Sequence, residues 1–288
     1  MFRKLLKYDM QAIFKVWWIV AVITLGASVL GGIGFRLVME STSETSNNPL
    51  LVLMMLGGII FFIISVIALA ASFILTEIMI FWRYYKNFFS DEGYLTFTLP
   101  VSRQQLFLSK TVNAMIWSIL HAIVVGIGFI IMSLIIPPTD NGFLINPIVL
   151  TSLTDGLVYI IDSLGAWTIV YAIEALIIVF FYLLFTVSLV HMCITIGSVI
   201  AKKLKLLAAI GIFYAVNTVL SFVGQLAWIF VVNVVIEGAD VILIEASKSA
   251  RNLVSALLVL IGCAIIAALA FTAYCITQRL LERKLNLA

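Results

Sequence analysis

Residues 50–81 read LLVLMMLGGIIFFIISVIALAASFILTEIMIF, thirty-two residues in which Glu77 is the sole charge. As a helix this run is roughly 48 Å long at about 1.5 Å per residue, against a bilayer hydrocarbon core of about 30 Å. No soluble domain of ordinary size hides such a segment all round. It predicts a membrane-spanning helix that continues past the headgroups.

Five further stretches meet the length and apolarity of a span, giving 16–38, 50–81, 111–136, 167–200, 206–236 and 253–276. The whole chain agrees with this count. Of its 288 residues 64% are hydrophobic and 11% charged, where a soluble domain carries about 45–50% and 25%. Disorder is excluded by the same figures. The apolar runs are continuous rather than alternating, so the spans are helices and not barrel strands. A net charge of +3 with scattered basic clusters speaks against nucleic acid as a partner. The first run is too long for a cleavable leader and is read as retained. Cys193, Cys263 and Cys275 all fall inside apolar runs, which argues against a disulfide framework.

Lysine and arginine set the expected orientation. Arg3, Lys4, Lys7, Lys15, Arg83, Lys86, Arg103, Lys110, Lys202, Lys203, Lys205, Arg279, Arg283 and Lys284 lie on one side if six helices cross. Only Arg36, Lys248 and Arg251 lie on the other, among several acids. Both termini are therefore expected in the cytoplasm. The fold class is all-α integral membrane, one transmembrane domain over 1–288.

Three segments outside the spans carry structure of their own. Residues 2–17 place Phe2, Leu5, Leu6, Met10, Ile13, Phe14 and Trp17 on one helical face, with Lys4, Lys7, Gln11 and Lys15 opposite. That pattern predicts an amphipathic interfacial helix in contact with membrane lipid. On the outer side, Pro137-Pro138 and Asn141-Gly142 mark a stop and a turn, and Asn146-Pro147 opens an amphipathic helix expected to cover the bundle or act as an exit lid. Between the second and third spans, Ser90 is a cap for a short helix with Asp91 and Glu92 in its first turn. Leu99 before Pro100 ends that helix. Ser102-x-x-Gln105 is a capping box that restarts a helix into the third span. The short helix is rich in aromatics, and exposed aromatics need lipid or protein against them.

At these residues the chain resembles the permease subunit of an ABC-2 type transporter. Glu92-Gly93-Tyr94-Leu95-Thr96-Phe97-Thr98-Leu99-Pro100-Val101-Ser102-Arg103, followed by Leu108-Ser109-Lys110, is similar to that family's first cytoplasmic loop. Leu5-Leu6-Lys7-Tyr8-Asp9 and Glu282-Arg283-Lys284-Leu285-Asn286-Leu287 resemble its usual ends. The resemblance implies a bacterial cytoplasmic-membrane protein in which two permease subunits pair above two separate ATPases that bind ATP and Mg. It makes residues 92–99 a coupling helix, with Tyr94, Leu95 and Phe97 packed into the ATPase and Glu92 and Arg103 as polar contacts, Gly93 and Pro100 belonging to the same motif. Exported cargo in such families is lipid, glycan, drug or peptide.

Chemistry inside the chain is sparse. No G-x-x-x-x-G-K-[ST] loop is present, so ATP hydrolysis is expected on another chain and this one is not expected to be an enzyme or to hold a cofactor. Gly31-Gly32-Ile33-Gly34 lies inside a span and reads as a packing seam. Glu174, about two turns into the fourth span, is a candidate translocation-path residue, with a hydrogen bond to a neighbouring helix as its plainer role. His121 and His191 read as packed side chains. In His191-Met192-Cys193 consecutive helical positions diverge by about 100°, so no metal site is expected. Two other classes stay open: a non-transporting scaffold or immunity protein whose aromatic loop binds another soluble partner, and, more weakly, an ion-coupled carrier.

Overall fold

The structure is a computed structural model that describes residues 2–43, 48–98, 100–135, 147–201, 203–230 and 248–283. The expected Pro137-Pro138 stop, Asn141-Gly142 turn, Asn146 cap, Leu99 boundary, residues 231–236 of the fifth span and residues 284–287 lie outside them. The described residues form eight helices: α1 Phe2–Ser43, α2 Pro49–Phe89, α3 Glu92–Phe97, α4 Arg103–Ile135, α5 Pro147–Leu164, α6 Trp167–Ile200, α7 Lys205–Phe230 and α8 Lys248–Arg283. Six of them, all but α3 and α5, are long and apolar enough to cross a membrane. Their outward faces stay apolar, as at Leu53, Ile67 and Leu176, which suits lipid as the solvent.

The helices exceed the hydropathic spans. α1 has 42 residues and α2 has 41, each roughly 62 Å long at about 1.5 Å per residue. In residues 2–17 Ile13 is buried and Lys4, Lys7, Gln11 and Lys15 are exposed, but Phe14 of the expected apolar face is exposed and Asp9 is buried. These residues do not form a separate interfacial helix but run unbroken into the first span. No Gly or Pro lies between positions 2 and 25 to interrupt the ladder.

The chain divides into two compact units. The first comprises residues 1–83 and 112–163. Its seam is built from small residues. A Cβ on Gly34 would stand 2.7 Å from the Gly58 carbonyl oxygen of α2, and one on Gly58 only 2.5 Å from that of Gly34. One on Gly32 would meet Ile135 of α4 at 2.7 Å, and one on Gly31 would overlap the Ser65 side chain. Ser65 donates to the Ala27 carbonyl at 2.6 Å. The expected Gly31–Gly34 packing role is thus realised as backbone-to-backbone approach, the usual means of joining helices in lipid. His121 on α4 is fully buried, its Nε2 3.3 Å from Ser72 Oγ on α2. In α5, every described side chain from Thr151 to Asp162 is exposed. The apolar face expected to cover the bundle covers nothing within the described residues.

The second unit comprises residues 84–111 and 164–288. Gly165, at φ +59, makes the left-handed turn into α6 that a side chain would resist. α6 packs on both α7 and α8. Leu189, Met192 and Cys193 of α6 form a core with Ala273 of α8, flanked by Phe213 and Val216 of α7. On α8 the buried positions Ala256, Cys263, Ala270 and Thr277 recur every seventh residue and are all small. Gly197 of α6 lies against the α7 backbone, where a Cβ would stand 2.5 Å from the Ala209 nitrogen.

Candidate functional site

α3 is a six-residue helix suspended between α2 and α4, and its position is fixed by contacts within the second unit. Gly93 is buried because a Cβ there would come 2.8 Å from the Phe88 carbonyl oxygen. Its N–H donates to the Ser90 carbonyl at 2.8 Å. Ser90 does not act as the side-chain cap the sequence predicts. Its hydroxyl donates to the Lys86 carbonyl, closing the end of α2, and the N-cap position falls on Asp91 without a side-chain hydrogen bond. A serine that finds an i−4 carbonyl is lost to the next helix. The Ser102 cap does form: the Gln105 N–H donates to Ser102 Oγ at 3.3 Å, and the Leu106 N–H to the Ser102 carbonyl at 3.1 Å.

Below α3 lies an aromatic base. Tyr84, Phe88 and Phe107 are almost wholly buried. Tyr84 stacks on His191 of α6 at 3.9 Å between centroids, and its hydroxyl meets Thr195 Oγ1 at 2.9 Å. Phe107 lies 4.7 Å from Tyr274 of α8. Phe97 turns inward, 5.5 Å from Phe88. Two cations close the frame. Lys205, the first residue of α7, donates to the Phe89 carbonyl at 3.2 Å, next to the end of α2. Arg103 donates through one nitrogen to the Leu281 and Glu282 carbonyls at 2.9 and 3.0 Å, and its guanidinium lies 5.6 Å from the Phe97 ring. A guanidinium on the last carbonyls of α8 satisfies acceptors that the helix itself leaves open, and it complements the helix dipole.

The seven residues expected to meet a partner therefore separate into two sets. Tyr94 and Leu95 are 62% and 67% exposed, and Pro100 is exposed beyond them. Glu92 is exposed but engaged with Lys86 at 2.7 Å. Gly93, Phe97 and Arg103 hold α3 in place; Gly93 is buried and Phe97 half-buried, whereas Arg103 stays exposed. Lys86, Tyr84, His191 and Lys205 belong to the same assembly, and no local pattern in the sequence announces them. Their partners lie up to 116 positions away.

Glu174 sits elsewhere in the second unit. It is 5% exposed, and neither carboxylate oxygen has a hydrogen-bond partner among the described residues. The inter-helix hydrogen bond considered for it is made one turn earlier by Tyr171, whose hydroxyl meets Ser255 Oγ of α8 at 2.7 Å. Buried carboxylates without partners are costly and mark functional positions in membrane helices. Among the described residues no group of three or more His, Cys, Asp or Glu side chains converges as metal ligands would.

Comparison with known proteins finds no family model, no curated protein and no solved structure that matches the chain. The membrane-helical architecture and the braced α3 are what a functional reading can build on.

Proposed function

We propose that this chain is the transmembrane permease subunit of an ATP-driven exporter of the ABC-2 type, working as a dimer in the bacterial cytoplasmic membrane. Separate cytoplasmic ATPases couple to it through residues 90–103. The observation that carries the reading is the contrast within α3. Two large apolar side chains, Tyr94 and Leu95, face outward on a helix that rests on Phe88 of α2 and Arg103 of α4, and those two helices are in turn tied to α6, α7 and α8. A docking element that transmits force needs both an apolar anchor and a stiff mount. Tyr94 and Leu95 supply the anchor. The Tyr84–His191 stack and the Arg103 and Lys205 bonds supply the mount. Glu174, buried and without a hydrogen-bond partner among the described residues, is the residue we assign to the cargo path.

The test is purification of the intact protein from its native host in a mild detergent or nanodisc, with co-purifying chains identified by mass spectrometry. A soluble ATPase recovered at about one copy per permease, and lost on Tyr94→Ala with Leu95→Ala, supports the proposal. Recovery of some other soluble partner through the same two residues would replace it with the scaffold reading.

A further inference from the structure

The first unit holds a groove of about 750 Å³ between α1 and α4, lined by Met10, Phe14, Lys15, Trp17, Trp117 and Leu120. Its size lies within the range of small-molecule sites. The aromatic side is ordered: Trp17 and Trp117 stand 4.8 Å apart and Phe14 lies 6.2 Å from Trp117. Trp117 is only 2% exposed, and its indole nitrogen and that of Trp17 are enclosed by the protein rather than open to the groove, without an acceptor among the described residues. Buried indole N–H groups ordinarily find one.

Depth and charge narrow the occupant. The hydropathic spans begin at residues 16 and 111, so Trp17 and Trp117 lie within about two turns of the same membrane boundary, where tryptophan is enriched. Lys15 is exposed at the groove, and Arg3, Lys4 and Lys7 are exposed further along α1. An apolar slot at headgroup depth with a cationic rim is complementary to an anionic amphiphile. We propose that this groove seats an anionic phospholipid, with an acyl chain against Phe14 and Trp117 and the phosphate at Lys15. The proposal is independent of the transporter reading, since it requires neither ATPase nor cargo.

The experiment uses the full chain in bilayers and tryptophan quenching by dibrominated lipids. Dibrominated phosphatidylglycerol is compared with dibrominated phosphatidylcholine at equal mole fraction. Phosphatidylglycerol should bind about fivefold more strongly at one site, the ratio expected of one lysine beside an anionic headgroup. Lys15→Glu should remove that preference, and Trp17→Phe with Trp117→Phe should remove most of the lipid-selective quenching. Lys15 is exposed, so the charge reversal leaves folding intact, and circular dichroism checks this. Equal quenching by both lipids would overturn the proposal, as would a preference that survives Lys15→Glu. Weak quenching by both lipids, with Trp17 shielded in a self-associated protein, would assign the groove to a second copy of the chain and equally overturn it.

Discussion

Arg103→Ala separates a strut from a contact. In the folded chain this side chain makes two hydrogen bonds to the last carbonyls of α8 and faces the Phe97 ring. Net stabilisation by a hydrogen bond is about 0.5–1.5 kcal/mol. A cation at an exposed helix C-terminus adds about 0.3–1 kcal/mol, and an exposed cation–π contact about 0.5–1 kcal/mol. These act through one guanidinium whose geometry they share, so the sum is discounted to about 1.5 kcal/mol. That corresponds to a roughly tenfold change in a local opening equilibrium. Hydrogen exchange by mass spectrometry, on the protein in nanodiscs, reads it directly. Peptides covering residues 277–283 should exchange about tenfold faster in the variant, with α3 also loosened, whereas the middle of α8 stays unchanged. Arg103→Lys keeps the charge but not the planar guanidinium that faces Phe97, and should recover only part of the protection. Unchanged exchange at the end of α8 would refute the strut, and Arg103 would return to being a free polar contact for a partner.

Other expectations follow from single contacts. Tyr94→Ala should leave the apparent unfolding midpoint within about 1 °C of the parent, because the side chain is exposed, while abolishing partner recovery; a large drop in midpoint would show it to be structural. Gly93→Ala puts a methyl against the Phe88 carbonyl and should speed exchange throughout α3 without touching α7, which hydrogen exchange would detect. Gly34→Leu should destabilise by at least about 1–3 kcal/mol through overpacking against Gly58 and Phe61, seen as a lowered midpoint in thermal unfolding. Glu174→Leu removes a buried unpaired carboxyl and should stabilise by about 2 kcal/mol, or roughly 5 °C, while impairing cargo movement. A lowered midpoint would mean that Glu174 holds a partner in the folded chain.

Hydropathy located the spans because twenty apolar residues in a row have one physical solution in a bilayer. α6 covers 167–200 as read from the sequence. The Ser102 cap and the glycine seam were legible for a similar reason, since each depends on residues within one or two helical turns. What escaped was orientation and distance. An amphipathic stripe on residues 2–17 is the same whether the helix lies along a membrane or continues as a stalk, and only the unbroken backbone of α1 distinguishes them. Ser90 had two acceptable hydrogen-bond roles, and the nearer carbonyl won. Arg103 reads as a free loop cation until α8 brings its last turn alongside. Glu174 could be flagged by its charge in an apolar run, but its lack of a partner belongs to tertiary structure.

The meeting of α1 and α2 at Gly34 and Gly58 has a consequence for how this sequence can change over time. Most packed pairs drift by exchange: one side chain grows, its neighbour shrinks, and total volume is kept. Here each glycine faces the carbonyl oxygen of the other, at distances that leave no room for a methyl. Neither position has a smaller residue to offer in return. Compensation within the pair is closed off, and only a shift of an entire helix could open it. Lineages descended from this chain should carry glycine at both positions, or have repacked α1 against α2 altogether.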